Sequence, residues 1–101
     1  MNEEIKRICD EIVRLCAPVR VILYNKKTDG TTGRLREVSL CVVINGDDAE
    51  GTERALYMGI DSDLAFNLIL YTSGQWIELT ADEQSHACKI MRKGSVIYEQ
   101  E

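Results

Sequence analysis

Glu37-Val38-Ser39-Leu40-Cys41-Val42-Val43-Ile44 is the longest apolar run of the chain, and it stops at a turn signal, Asn45-Gly46. Its β-branched content and its length predict the central strand of a small sheet. Side chains alternate along a strand, so Val38, Leu40, Val42 and Ile44 share one face and Ser39, Cys41 and Val43 share the other. Two small, weakly polar residues on the second face fit an ordinary core strand. They also fit a strand that once carried an active site there.

Upstream of this run, Val19-Arg-Val-Ile-Leu-Tyr24 reads as a first strand. The stretch Asn25 to Arg34 between the two is turn chemistry, with Asp29-Gly30 and Gly33 expected to supply positive φ. Strands one and two are then antiparallel neighbours. The glycines of this loop carry no Walker or Rossmann spacing, so a plain turn is expected rather than a phosphate cradle. Further upstream, residues 2–16 carry a helical stripe, Ile5, Ile8, Cys9, Ile12, Leu15 and Cys16. Asn2 caps it, Glu3 and Glu4 suit its positive end, and Pro18 stops it.

Downstream, Asp47 and Asp48 can cap a helix over about residues 49–60 with Ala55, Leu56 and Ile60 inward. Residues 64–71, Leu-Ala-Phe-Asn-Leu-Ile-Leu-Tyr, predict a third strand with Asn67 on the face of Ala65, Ile69 and Tyr71. If buried, that Asn needs polar partners. Ser73-Gly74 opens a helical turn around Gln75–Leu79. Thr80 with Glu83 is expected to cap a last helix through Ala87, Ile90 and Met91, closed by Gly94 as a C′ residue. Val96-Ile97-Tyr98 is a short final strand. The order predicts one domain over residues 1–101: α+β with α/β-type order, a mixed three- to four-stranded sheet, and about three to four helices mainly on one side.

Composition narrows the function classes. The chain is 101 residues long, 45% hydrophobic and 29% charged, with net charge −5. Residues 51–101 hold four Lys/Arg against eight Asp/Glu. This balance argues against nucleic-acid binding, which needs cations to displace phosphate counterions. No apolar run nears the roughly 20 residues of a membrane helix. The stretch Met1–Arg7 has no apolar h-region, from which a cytoplasmic location is expected. Four cysteines, Cys9, Cys16, Cys41 and Cys88, form no Cys-x-x-Cys pair and read as reduced core thiols. His86 and Cys88 offer two zinc ligands where about four are needed, so no metal site and no cofactor is expected.

Two regions of the chain, taken together, resemble the minimal nucleotidyltransferase domain of the polymerase-β superfamily. At the C-terminal end, Phe66-Asn67-Leu68-Ile69-Leu70-Tyr71-Thr72 and Ile90-Met91-Arg92-Lys93-Gly94-Ser95-Val96-Ile97-Tyr98-Glu99 match that family's third strand and its closing helix and strand. Nearer the start, Ile22-Leu23-Tyr24-Asn25 stands where the family has its Gly-Ser, and Ser39-Leu40-Cys41 where it has its Asp-x-Asp. The resemblance spans nearly the whole chain and implies the nucleotidyltransferase-like fold.

At the site positions the chain departs from the family. Tyr24-Asn25 replaces the Gly-Ser that holds the triphosphate, and Ser39, Cys41 and Asn67 replace the three metal-binding carboxylates. Mg²⁺ wants carboxylate oxygens beside substrate phosphates; hydroxyl, thiol and amide groups are poor substitutes. Without the metals, the charge on a transferring phosphoryl group is not neutralised. Stand-in acids are Asp61-Ser62-Asp63, with the right spacing, and Asp47 with Asp48; both pairs fall at strand ends. Cys41 as a nucleophile would have only His86 to activate it. The resemblance therefore implies a catalytically inactive module that binds a protein, either a helical partner as in antitoxin pairs or a second copy of itself. The alternative is a residual nucleotidyltransferase or metal-independent nucleotide binder, with Arg34 and Arg36 taking the phosphates.

Overall fold

The computed structural model describes residues 2–101; Met1, the first residue of the stretch read above for a leader, lies outside them. Helix α1, Glu3–Cys16, starts where Asn2 predicts: the Asn2 side chain accepts the Glu4 and Ile5 amides. It ends in a left-handed Ala17, φ 43°, just before Pro18. Strands β1, Arg20–Thr28, and β2, Leu35–Ile44, form an antiparallel hairpin. Helix α2, Ala49–Gly59, is the crossover to β3, Ala65–Thr72, which pairs parallel to β2. A parallel pair requires such a connection, whereas a hairpin does not. Helices α3, Ser73–Thr80, and α4, His86–Lys93, precede β4, Ser95–Glu99, which returns antiparallel to β1. The sheet order is β3-β2-β1-β4, mixed and four-stranded, and with the four helices described it is the expected α+β class.

The helices flank both faces of the sheet rather than one. Val38, Leu40, Val42 and Ile44 meet Ile5, Ile8, Cys9 and Ile12 of α1 and Leu56 of α2. Cys41 and Val43 meet Trp76 of α3 and Ala87 and Ile90 of α4, with Ile22 of β1. Every residue from Val38 to Ile44 is buried, the pattern of a strand covered on both sides. Ile8, Ile12, Leu40 and Leu56 are each essentially inaccessible; a side chain of that size contributes roughly 1.5–3 kcal/mol on burial.

Several local expectations are corrected. β1 runs four residues beyond Tyr24, because Asn25–Thr28 continue the ladder against Ser39–Leu35 while their side chains face water. The turn shrinks to Asp29–Arg34. There the Asp29 carboxylate accepts the Thr31 and Thr32 amides at 2.7 and 3.1 Å. Of the two glycines in this turn, only Gly33 takes positive φ, 73°. Thr80 does not cap the last helix: it is the final residue of α3 and donates back to the Trp76 carbonyl at 2.6 Å. Ser85 is the cap, accepting the Cys88 amide at 3.0 Å. The capping box instead opens α3, between Thr72 and Gln75. Met91 and Leu15 are half exposed, and Ala55 is exposed. Gly94 follows α4 in extended conformation, φ −80°, not left-handed. Its missing side chain lets α4 close onto β1: an added Cβ would press on Ile22 and lie 2.7 Å from the Ile90 carbonyl oxygen.

Candidate functional site

The ladders decide which of the site residues meet. Ser39 and Asn67 are register partners across the parallel β2–β3 pair, and Cys41 lies opposite Ile69 two residues on. Across the hairpin, Ile22 faces Cys41 and Asn25 faces Ser39, with Tyr24 inserted as a bulge. A bulge re-aims the side chains around it. It brings Tyr24 beside Ser39 and Cys41: burial lifts the Tyr24 phenol above its ordinary value, neighbouring Cys41 adds to this, and the Ser39 hydroxyl acts against it. Tyr24, Ser39, Cys41 and Asn67 thus share one region of one face. Asn25 lies at the margin and is exposed.

Three corners of this region differ in access. Asn67 is exposed, so it needs no buried partner; β3 is an edge strand, which places its start in water. Ser39 is buried, the one polar residue in the core among those described, at 7% exposure. Cys41 is at 0%, closed over by Trp76, Ala87 and Ile90. Burial pushes its thiol up from 9.0 to about 12. A thiol held there stays protonated at neutral pH, the form that attacks and ligates poorly. Tyr71 and Trp76 stand over the same corner with ring centres 5.8 Å apart, and burial together with Cys41 raises the Tyr71 phenol. His86 meets Tyr24 edge-on at 5.9 Å. It lies on the exposed start of α4, while Cys88 two residues later is buried, so the pair does not converge as ligands.

The remaining candidates lie elsewhere. Asp61 and Asp63 line an open cleft of about 290 Å³ with Glu4, Arg7 and Glu11 beside α1. Asp48 is occupied as the α2 cap, accepting the Gly51 amide at 2.8 Å, and Asp47 is exposed beside it. Among the described residues, no three His, Cys, Asp or Glu side chains converge as a metal site. Arg34 is in the hairpin turn and Arg36 just beyond it at the start of β2, both exposed. Between Arg36 and Ser39 stands Glu37, paired with Lys27 at 3.3 Å. All four cysteines are free, and Cys9, Cys41 and Cys88 are buried, as core thiols should be.

Comparison with family models, with curated proteins and with solved structures returns no match.

One contact had no signal in the sequence. The Tyr57 hydroxyl of α2 accepts the Leu68 amide at 2.7 Å, and the Tyr57 ring stacks on Phe66 at 5.6 Å. The outer edge of β3 is closed at that point. No helix of the described chain is long and apolar enough to cross a membrane.

Proposed function

We propose that this chain is a catalytically silent nucleotidyltransferase-like module that works by protein association. The observation that carries this reading is Cys41. It stands at the position that matches the second metal ligand of the resembled family, yet it is fully buried among Ile22, Val43, Trp76, Ala87 and Ile90, with Tyr24 and Tyr71 beside it. A carboxylate there would be buried with no cation beside it, which costs several kcal/mol. The packing around Cys41 is mostly apolar and offers a carboxylate no counter-charge. Ser39 and Asn67, side by side in the ladder, add no charge to hold Mg²⁺.

Partner binding remains as the role for a folded domain whose site face is neutral and filled. The resembled family supplies a helical partner protein or a second copy as the expected associate. The test is a nucleotide-transfer assay on the purified chain with Mg²⁺ and each nucleoside triphosphate. No product is expected; transfer at any rate above the protein-free control overturns the reading.

A second reading, metal-independent nucleotide binding, draws on Arg34 and Arg36, which are exposed and make no ion pair among the described residues. It requires that Arg34→Ala and Arg36→Ala each weaken nucleotide binding, and unchanged affinity in both removes it.

A further inference from the structure

We infer that the Tyr57 hydroxyl and the Gln75 side chain guard the β3 edge and keep this chain from pairing β3 to β3 with a second copy. The two edge strands of the sheet are β3 and β4. β4 protects itself: it is five residues long, and its ladder is broken by a bulge at Ile97. β3 has no such device. Its eight residues, Ala65–Thr72, run in unbroken register along β2. They include no proline, and no charged residue stands between Asp63 and Glu78. A long, apolar and uncharged edge is the kind that templates another strand.

Side chains close it instead. Successive residues of a strand turn their amides to opposite sides, so Phe66, Leu68, Leu70 and Thr72 point theirs the same way. Two of these are taken by side chains and not by β2. The Leu68 amide donates to the Tyr57 hydroxyl at 2.7 Å, and the Thr72 amide to Oε1 of Gln75 at 2.9 Å. One guard comes from α2 and the other from α3, and they hold the middle and the end of the strand. The Tyr57 ring also stacks on Phe66, with centres 5.6 Å apart and planes within 11°.

The strand itself names the occupant these guards exclude. A neutral strand meets no repulsion from an identical one. Antiparallel pairing about a two-fold axis lets the same row of amides and carbonyls serve both copies. The short, bulged β4 ends the sheet at the far edge, so the pairing closes as a dimer. While Tyr57 and Gln75 hold Leu68 and Thr72, an incoming strand only exchanges one hydrogen bond for another there. Without the guards both amides are open, and each new bond is a net gain.

Sedimentation equilibrium tests this on the wild-type chain, on Tyr57→Phe/Gln75→Ala, and on that double variant carrying Asn67→Lys. Ser85→Ala loosens the fold away from the edge and controls for lost stability. The double variant is expected to dimerise at least about tenfold more tightly than wild type or Ser85→Ala. Tyr57→Phe alone keeps the stacked ring and gives part of that gain. Asn67 is exposed on β3, so lysine there needs no burial, and a cation on both pairing strands abolishes the gain. In the double-variant dimer, the Phe66, Leu68 and Leu70 amides exchange more slowly as concentration rises. A double variant no more associated than Ser85→Ala, a dimer indifferent to Asn67→Lys, or one whose protected amides lie outside β3 overturns the inference. Any of these leaves the silent-module reading standing, whereas nucleotide transfer removes that reading and leaves the edge result untouched.

Discussion

Replacing Cys41 by Asp puts a carboxylate, as the resembled family carries, at the position where the structure least accommodates it. The residue is 0% exposed, and the apolar side chains and the Tyr24 and Tyr71 phenols around it include no cation. Burial already lifts the native thiol from 9.0 to about 12. The same desolvation raises the introduced carboxyl above its unfolded value of about 3.9. Kept neutral, the group still lacks a full set of partners, at about 1–3 kcal/mol. At pH 8 the unfolded chain is ionised and the folded site resists ionisation, so the loss grows to roughly 3 kcal/mol or more. For a domain of this size that lowers Tm by about 12–20 °C. The sign follows from proton uptake: the folded variant binds more protons than the unfolded chain, so its stability falls as pH rises above the unfolded value. Thermal and urea unfolding of Cys41→Asp against wild type at pH 4.5 and pH 8 reads both effects, with Cys41→Val as the apolar control. A variant as stable as wild type at pH 8, with no added pH dependence, refutes the closed corner.

Other expectations are more local. Ser85→Ala loses the α4 cap and about 1 kcal/mol, whereas Thr80→Ala does not remove a cap; urea midpoints should separate the two, and the reverse order contradicts the assignment. Gly94→Ala forces a methyl against Ile22 and the Ile90 carbonyl and destabilises by about 2 kcal/mol, read by the same titration. Tyr57→Phe leaves the Leu68 amide without its acceptor at a cost of about 1 kcal/mol, with faster exchange of that amide by NMR. With a thiol reagent at pH 8, half-buried Cys16 reacts first, and Cys9, whose thiol is raised to about 11, and Cys41 react only on unfolding; equal native-state rates contradict the burial pattern.

The alternation along Val38–Ile44 was legible because a strand's period is two, and both of its faces are where the sequence puts them. Which helices cover them was not. Both faces are apolar, so the run itself does not tell a one-sided from a two-sided sheet, and Trp76, Ala87 and Ile90 arrive from far along the chain. The polar half of β1 has the side-chain pattern of a loop, while the strand there is held by backbone pairing to β2. Two hydroxyl residues competed to cap α4. Thr80 had the acid three residues on, but Ser85 is the start that turns Ala87, Cys88 and Ile90 inward. In the site, the adjacency of Ser39, Cys41 and Asn67 follows from strand order. Their unequal burial does not, because Asn67 is exposed by lying on an edge strand and Cys41 is buried by helices that follow it.

The most direct test of a silent site is thermal unfolding with ATP, GTP, CTP and UTP, each with and without Mg²⁺. A ligand at about 100 times its Kd adds roughly 2.7 kcal/mol, a rise of about 10 °C or more for a domain of this size. An association module on this fold predicts an unchanged Tm in every condition. A rise that appears only with Mg²⁺ contradicts it and returns metal-dependent nucleotide chemistry to the face of Ser39, Cys41 and Asn67.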